Sequence, residues 1–218
     1  MKFQAKGFSL VELMVAMVIS LILLIGALDL FQRTSQTDRT GTELARLQES
    51  GRVALEIFGA DARRAGYQGC SSADSPITVD GVTFPADAIS AVSGTSITFN
   101  YARLESTPVV MPATRRDCSN IQTLYLHKVT YSNCGANLCL AEDASASSAI
   151  IDNASIQSIL LGIDNSGTTT WVNGSSATTN DRSNAHVVRI TFQISSANDP
   201  NMTSRQFTGT FDLRNRLQ

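Results

Sequence analysis

The stretch that decides the fold lies near the start of the chain and reads KGFSLVELMVAMVISLILLIGAL, residues 6–28. From Phe8 to Leu28 its one charged residue is Glu12. A helix rises ~1.5 Å per residue, so this run spans about 30 Å, the thickness of the hydrocarbon core of a bilayer. Lys2 and Lys6 precede the run and orient the N-terminus toward the cytoplasm. The bulk of the chain is therefore expected on the other side of the membrane.

Two common kinds of apolar segment leave part of this pattern unexplained. A secretory signal peptide ends in a small-residue cleavage site, whereas here Leu28 is followed by Asp29-Leu-Phe31. A plain single-pass anchor explains every residue except Glu12. A carboxylate at membrane depth costs at least ~2.5–3.5 kcal/mol on insertion scales, so it requires a positive partner.

The residues around Glu12 supply an explanation. Gly7, Phe8 and Glu12, followed in register by the apolar run, resemble the prepilin signal of type IV pilins and type II secretion pseudopilins. The resemblance implies that a prepilin peptidase cuts between Gly7 and Phe8 and that Phe8 becomes N-methylated. It also implies that Glu12 is an assembly residue, whose partner is the freed ammonium of Phe8 on a neighbouring subunit or on its own chain. Such a pairing fixes axial register, because other offsets bury an unpaired charge.

The helix is expected to continue far beyond the apolar run. Apolar and small residues recur at three- and four-residue spacing, and no proline occurs before Pro76. Arg63, Arg64 and Gly66 form a helix stop. We expect a leader at 1–7, a transmembrane helix at 8–28, an amphipathic half-helix at 29–66 and a periplasmic β-rich domain at 67–218. The expected apolar stripe comprises Leu44, Leu47, Gly51, Ala54 and Phe58, flanked by Ile57 and Ala62.

Beyond Gly66 the pattern changes to short alternating runs separated by turn signals. These runs predict an antiparallel sheet with one face buried under the long helix, which is an α+β, pilin-like fold. Two polar stretches, 141–149 and 164–184, are predicted to be loops, with an exposed-hairpin candidate at Asn173-Gly174. The predicted strands lie at 77–84 (a hairpin around Asp80-Gly81), 96–101, 124–131, 187–194 and 207–213.

The four cysteines favour two disulfides in an oxidising compartment over a metal site, because their spacing lacks paired close motifs. Four cysteines allow three pairings. The preferred one joins Cys134 to Cys139 across a short closure and leaves Cys70 with Cys118. With 43% apolar residues and a formal net charge of −2, the chain has the composition of a folded protein and lacks a basic signature for nucleic acid.

Three further segments resemble PilW-type minor pilins. They are Ala62-Arg-Arg-Ala-Gly-Tyr-Gln-Gly-Cys70, Leu161-Gly-Ile-Asp164 and Phe211-Asp-Leu-Arg-Asn215. The resemblance implies a minor pilin that primes or joins type IV pilus assembly near the fibre tip and supports twitching motility.

Its implied partners are the prepilin peptidase, the major pilin, other minor pilins, the assembly platform and the inner membrane. The alternative is a minor pseudopilin of a type II secretion system, which uses the same signal.

An enzyme is not expected, and no cofactor is implied. Serine, histidine and aspartate are present, but no nucleophile motif, metal-ligand cluster or phosphate-binding glycine loop occurs. His127 and His186 fall in strand-like runs and are interpreted as sheet residues. Asp164 and Asn165 are interpreted as a turn, because the glycine spacing and the missing glutamate do not fit a calcium loop.

Overall fold

A helix of 55 residues, α1 (Leu10–Arg64), carries the apolar run and continues well beyond it. This computed structural model describes residues 9–69, 76–105, 109–112, 115–119, 121–165, 167–199 and 202–213. The chain divides into two compact units, one ending at Arg46 and the other beginning at Leu47. The glycines at positions 26, 41, 51 and 59 do not interrupt α1.

The predicted helix stop is where α1 ends. Arg63 and Arg64 lie in the last turn, and Gly66 has a φ of 81°, in the left-handed region that a C-terminal glycine supplies at low cost. The predicted stripe is also found: Leu47, Gly51, Ala54, Phe58 and Ala62 are buried, whereas Leu44 and Ile57 are half-buried.

The strands form two antiparallel sheets and a separate hairpin. The hairpin pairs β1 with β2; the larger sheets run β3-β4-β5-β6-β7 and β11-β10-β8-β9. This arrangement confirms the α+β class, with two sheets in place of one. The strands are β1 (Ile77–Val79), β2 (Val82–Phe84), β3 (Ile89–Val92), β4 (Ser96–Arg103), β5 (Tyr125–Cys134), β6 (Asn137–Glu142), β7 (Ser148–Ile151), β8 (Ala154–Asn165), β9 (Thr168–Asn173), β10 (Ala185–Ile194) and β11 (Arg205–Asp212).

Both predicted loops are wrong in part. The stretch 164–184 contains β9 and a short helix, α2 (Thr179–Asn184), and β7 begins inside 141–149. Thr168 to Thr170 are β-branched, so they fit a half-exposed edge strand as well as a loop. Thr178 and Asp181 form a capping box that starts α2, so Asn173-Gly174 is not a hairpin turn.

The core of the second unit is centred on Phe58 of α1. Its ring lies edge-on to Phe99 and Tyr131 of the first sheet, with ring centroids 5.2 Å apart in both cases. It also contacts Phe192 at 6.0 Å and Phe211 at 5.7 Å, both in the second sheet. One helical side chain therefore contacts both sheets.

Strand β11 and α1 fit together by alternating large and small residues. A Cβ at Gly51 would lie 2.5 Å from Cδ1 and Cδ2 of Phe207, and one at Gly59 would lie 2.8 Å from Cδ1 of Phe211. Between them the pattern inverts, because a Cβ at Gly209 would lie 2.8 Å from Cδ2 of Leu55. The helix can approach this strand closely because each aromatic ring faces a glycine.

The two sheets are joined at their border by side-chain amides. The Asn133 side chain on β5 donates to Ile156 O on β8 (3.1 Å) and accepts from Ile156 N (2.7 Å). Nearby, Asn137 Oδ1 accepts from Asn153 N at 3.0 Å. The Asn133 amide thus forms both bonds that a neighbouring strand would have formed.

Candidate functional site

Glu12 lies in the first turn of α1, three residues after Ser9. The backbone oxygen of Ser9 accepts the bond from Leu13 N at 3.2 Å, which makes Ser9 the N-cap and Glu12 the third helical residue. The pattern Ser-x-x-Glu is a capping-box signature that the sequence interpretation did not use. A carboxylate here is favoured by the partial positive charge at the start of the helix.

The surroundings of Glu12 are apolar side chains directed outward. Leu10, Val11 and Leu13 are 76%, 66% and 56% exposed. The helix is long and apolar enough to cross a membrane, and its most apolar window has no buried residue. Within the described ranges, Glu12 has no cationic side chain in ion-pair reach. Among the described residues, the positive charge nearest to this carboxylate is therefore the partial charge of the helix start.

The predicted cleavage site, Gly7 and Phe8, lies outside the described residues. Cleavage between them and N-methylation of Phe8 therefore stay predictions. The described residues begin at Ser9. Of the three predicted site residues Gly7, Phe8 and Glu12, the structure therefore describes Glu12.

A second acidic residue of α1, Asp61, lies on the buried stripe of the helix. It is 8% exposed and accepts hydrogen bonds from the hydroxyls of Tyr101 (2.8 Å) and Tyr131 (2.5 Å). Burial first, and then the charge of Asp61, raises the pKa of both phenols above the usual range. Sequence reasoning missed this group, although Asp61 follows Phe58 and Ala54 at helical spacing, on the apolar face.

His127 forms an acid–histidine pair that bears on the question of catalysis. Its Nδ1 lies 2.9 Å from Oδ2 of Asp143, and its Nε2 lies 3.0 Å from Nη1 of Arg103. The guanidinium can only donate, so Nε2 accepts and Nδ1 carries the proton. A catalytic base needs Nε2 for its nucleophile. Among the described residues, the hydrogen-bond partner of His127 Nε2 is the guanidinium of Arg103, and not a hydroxyl or a thiol that could serve as the nucleophile.

Cys134 and Cys139 are joined by a disulfide across the β5–β6 turn, with Cα atoms 5.9 Å apart. The other predicted pairing, Cys70 with Cys118, stays a prediction because Cys70 lies outside the described residues. Cys118 itself lies close to the exit of α1, with its Sγ 3.9 Å from the hydroxyl of Tyr67.

The candidate calcium residues, predicted as a turn, are instead the last two residues of β8: Asp164 pairs with Thr169 and Asn165 with Thr168 of β9. Oδ1 of Asp164 accepts from Gly167 N at 2.9 Å, three residues further along the chain. Within the described parts of the chain, no group of three or more His, Cys, Asp or Glu side chains is arranged to hold a metal ion.

Comparison with known protein families finds a match at the start of the chain. The model for the prokaryotic N-terminal methylation motif matches residues 2–28. No curated protein and no solved structure matches the chain. The matched residues contain Gly7, Phe8 and Glu12 together with the apolar first part of α1.

The motif and the fold therefore agree from independent directions. The motif implies processing by a prepilin peptidase and assembly with other pilins, and together with the apolar helix it indicates membrane anchoring. A long N-terminal helix followed by antiparallel sheets is a pilin-like arrangement, and the motif indicates a structural protein. The chain carries the N-terminal methylation motif in register with this helix, and in these two features it is similar to type IV prepilins.

Proposed function

We propose that this chain is a minor pilin of the PilW type, which primes or joins the assembly of type IV pili and so supports twitching motility. The observation that carries the proposal is the methylation motif in register with α1, with Glu12 in the first turn of an otherwise apolar surface. The proposed location is the inner membrane, with the globular unit in the periplasm until the subunit enters the fibre near its tip.

Processing changes the charge at the start of the helix. The peptidase hydrolyses the amide between Gly7 and Phe8, so that Gly7 leaves as a carboxylate and Phe8 keeps an ammonium. Methylation of that amine preserves its positive charge. Removal of the leader also takes away Lys2 and Lys6, so that 15 Lys and Arg remain against 19 Asp and Glu.

The new ammonium is the positive partner that Glu12 lacks among the described residues. We propose that Glu12 of an incoming subunit pairs with Phe8 of its neighbour, while the apolar helices pack side by side. A shifted arrangement leaves two charges unpaired in hydrocarbon, at ~2.5–3.5 kcal/mol or more each. The pairing therefore selects one axial position.

The assignment to minor pilins rests on the residues at the exit of α1. Ala62-Arg-Arg-Ala-Gly-Tyr-Gln-Gly-Cys70 resembles the corresponding stretch of PilW-type proteins, and many major pilins carry a proline in the apolar helix that this chain lacks. A type II secretion pseudopilin shares the same processing signal. The motif therefore does not separate the two classes of protein, and gene deletion is needed to distinguish them.

Mass spectrometry of the mature protein tests the processing step. The expected N-terminus is N-methylated Phe8, and Gly7→Val blocks its formation, because the peptidase then meets a branched side chain at the cut. A mature chain that keeps Met1, or one that starts near residue 30, contradicts the proposal.

Gene deletion separates the two machines. Loss of surface pili and of twitching with normal protein secretion supports the minor pilin. Loss of secretion with normal pili assigns the chain to a type II secretion system.

A further inference from the structure

One part of α1 is built from residues that do not favour a helix. Between Thr34 and Thr42, every residue except Gln36 and Arg39 is threonine, serine, aspartate or glycine. These residue types rank low in helix propensity, and glycine ranks lowest after proline. We call residues 34–42 the Thr/Gly segment.

Hydrogen bonds within the Thr/Gly segment also compete with the helix. The hydroxyls of Thr37, Thr40 and Thr42 bond to the carbonyls four residues earlier, on Arg33, Gln36 and Asp38, at 2.9–3.0 Å. Such back-bonding weakens and bends helices, because the carbonyl is then shared between two donors. Three instances fall within six residues.

Tertiary packing does not compensate for these local weaknesses. All residues of the Thr/Gly segment are exposed except the half-buried Ser35, and a Cβ at Gly41 would meet nothing within 4 Å. Most helical stability in proteins comes from burial of one face, which is missing here. Along α1, the Thr/Gly segment thus follows the apolar run, which is long enough to span a bilayer, and precedes the buried stripe, which begins at Leu47.

Ion pairs along α1 flank the Thr/Gly segment. Arg33 pairs with Asp29 at 2.9 Å, and Arg46 pairs with Glu43 at 3.1 Å. Farther along, Arg52 pairs with both Glu49 and Glu56. Asp38 and Arg39, the charged residues inside the segment, form no ion pair with described residues.

We propose that the Thr/Gly segment is a hinge, where α1 opens locally while the helix on either side stays formed. Local opening concentrates where backbone hydrogen bonds face solvent and buried contacts are few. Such an opening interrupts the helical hydrogen bonds of α1 between the apolar run and the buried stripe. This property belongs to the single chain and does not depend on which machine the chain serves.

Hydrogen exchange of the full chain in detergent micelles tests the hinge. Amides of residues 37–42 should exchange at least ~100-fold faster than those of Val53–Ala62, in the buried part of the same helix. The quadruple variant Thr37→Ala, Thr40→Ala, Gly41→Ala, Thr42→Ala should slow exchange in the segment by a factor on the order of 100, the summed gain in helix propensity. Equal rates in the two regions, or an unchanged rate in the variant, overturn the proposal.

Gly26→Ala is the matched control. Its Cβ also meets nothing within 4 Å, so it adds helix propensity outside the Thr/Gly segment. Exchange of residues 37–42 should not respond to it. A response as large as that of the quadruple variant would mean that the whole helix frays, and the hinge would be excluded.

Limited trypsin digestion gives a second readout. Arg39 lies in the hinge, whereas Arg52 has a side chain 64% exposed in a formed part of the same helix. Cleavage after Arg39 should be at least ~10-fold faster, because proteases cut opened chain. Equal cleavage after both arginines contradicts the hinge.

Discussion

At the scale of single residues, Glu12 is an acidic side chain among exposed apolar side chains, and this environment bears on how subunits associate. Its apolar neighbours are exposed and its place is the first helical turn, so the described residues supply only the partial charge of the helix start. In the mechanism that we propose, processing and docking bring the cation that pairs with this carboxylate.

The first prediction concerns Glu12→Gln. Processing should continue, because the residues at the cut are unchanged. Incorporation into pili should fall at least ~10-fold, because loss of the carboxylate leaves the neighbour's Phe8 ammonium unpaired at a cost of ~2.5 kcal/mol or more. Immunoblots of sheared pili measure incorporation, and N-terminal mass spectrometry measures processing.

Glu49→Gln is the control, because it removes an acidic side chain from an exposed, ion-paired site on the same helix. Incorporation of this variant should match the wild type. Normal incorporation of Glu12→Gln would remove the pairing from the mechanism.

The second prediction concerns the phenols that bind Asp61. Because the folded-state pKa of Tyr101 and Tyr131 is raised above the ordinary value of about 10, their protonated forms stabilise the fold. That contribution is complete below pH ~10 and is lost as the pH rises beyond it. Denaturant unfolding between pH 8 and 11 should show the decline.

Replacement of both tyrosines by phenylalanine should weaken that alkaline dependence. At pH 7 the same variant should be less stable by about 1–3 kcal/mol for each hydroxyl, because the buried Asp61 carboxylate loses its donors. Tyr125→Phe is the control, since Tyr125 is half-buried at the start of β5. If the free energy of unfolding of the double phenylalanine variant fell with rising pH as steeply as that of the wild type, Tyr101 and Tyr131 would not be the source of the alkaline dependence.

At the scale of elements, glycine in α1 has two opposite meanings. Gly51 and Gly59 provide room for the rings of Phe207 and Phe211, whereas Gly41 faces open space. Composition does not distinguish these cases. The difference appears only when β11 is placed beside the helix.

The third prediction uses this contrast. In a helix interior, Gly→Ala ordinarily stabilises by ~0.5–1 kcal/mol. Gly51→Ala and Gly59→Ala should instead lower the free energy of unfolding by about 1–3 kcal/mol, because the new methyl group overlaps an aromatic ring. Thermal unfolding of the full chain measures the effect.

Gly41→Ala is the matched control and should be neutral or stabilising. If Gly51→Ala behaved like Gly41→Ala, the close approach of β11 to the helix would be wrong.

Elements with a simple alternation were predictable from the sequence. In β10, which was predicted as a strand at 187–194, Val188, Ile190, Phe192 and Ile194 alternate with less buried residues and are themselves buried, and the hairpin turns at Asp80-Gly81, where both φ angles are positive. Strand β8 was missed because it is buried on both faces near Leu161, which removes the alternation. Strand β9 was missed because Thr168 to Thr170 fit a loop and an edge strand equally well.

At the scale of the whole molecule, the alternation of apolar and polar residues could not predict that the strands form two larger sheets and not one. Alternation identifies which face of a strand is buried, but it does not identify the neighbouring strand. At the border between β5 and β8, the side-chain amide of Asn133 bonds to the backbone of Ile156, and this role arises only from long-range pairing. Asp61 was missed for the same reason, because its two tyrosine partners lie 40 and 70 residues away.

The fourth prediction tests this border. Asn133→Leu should lower the free energy of unfolding by about 1–3 kcal/mol, because the backbone N–H and C=O of Ile156 lose their partners. Hydrogen exchange should speed up at the Ile156 amide. Asn165→Leu, an exposed site at the end of β8, should leave both measurements unchanged.

The interlock of α1 and β11 has a mechanical consequence. Its contacts advance together along both elements, from Gly51 and Phe207 through Leu55 and Gly209 to Gly59 and Phe211, so the strand runs in the same direction as the helix. A pull along the helix axis therefore loads these contacts in shear, all at once. A sideways pull would peel them one after another. The contacts between α1 and β11 therefore resist a pull along the helix axis better than a sideways pull.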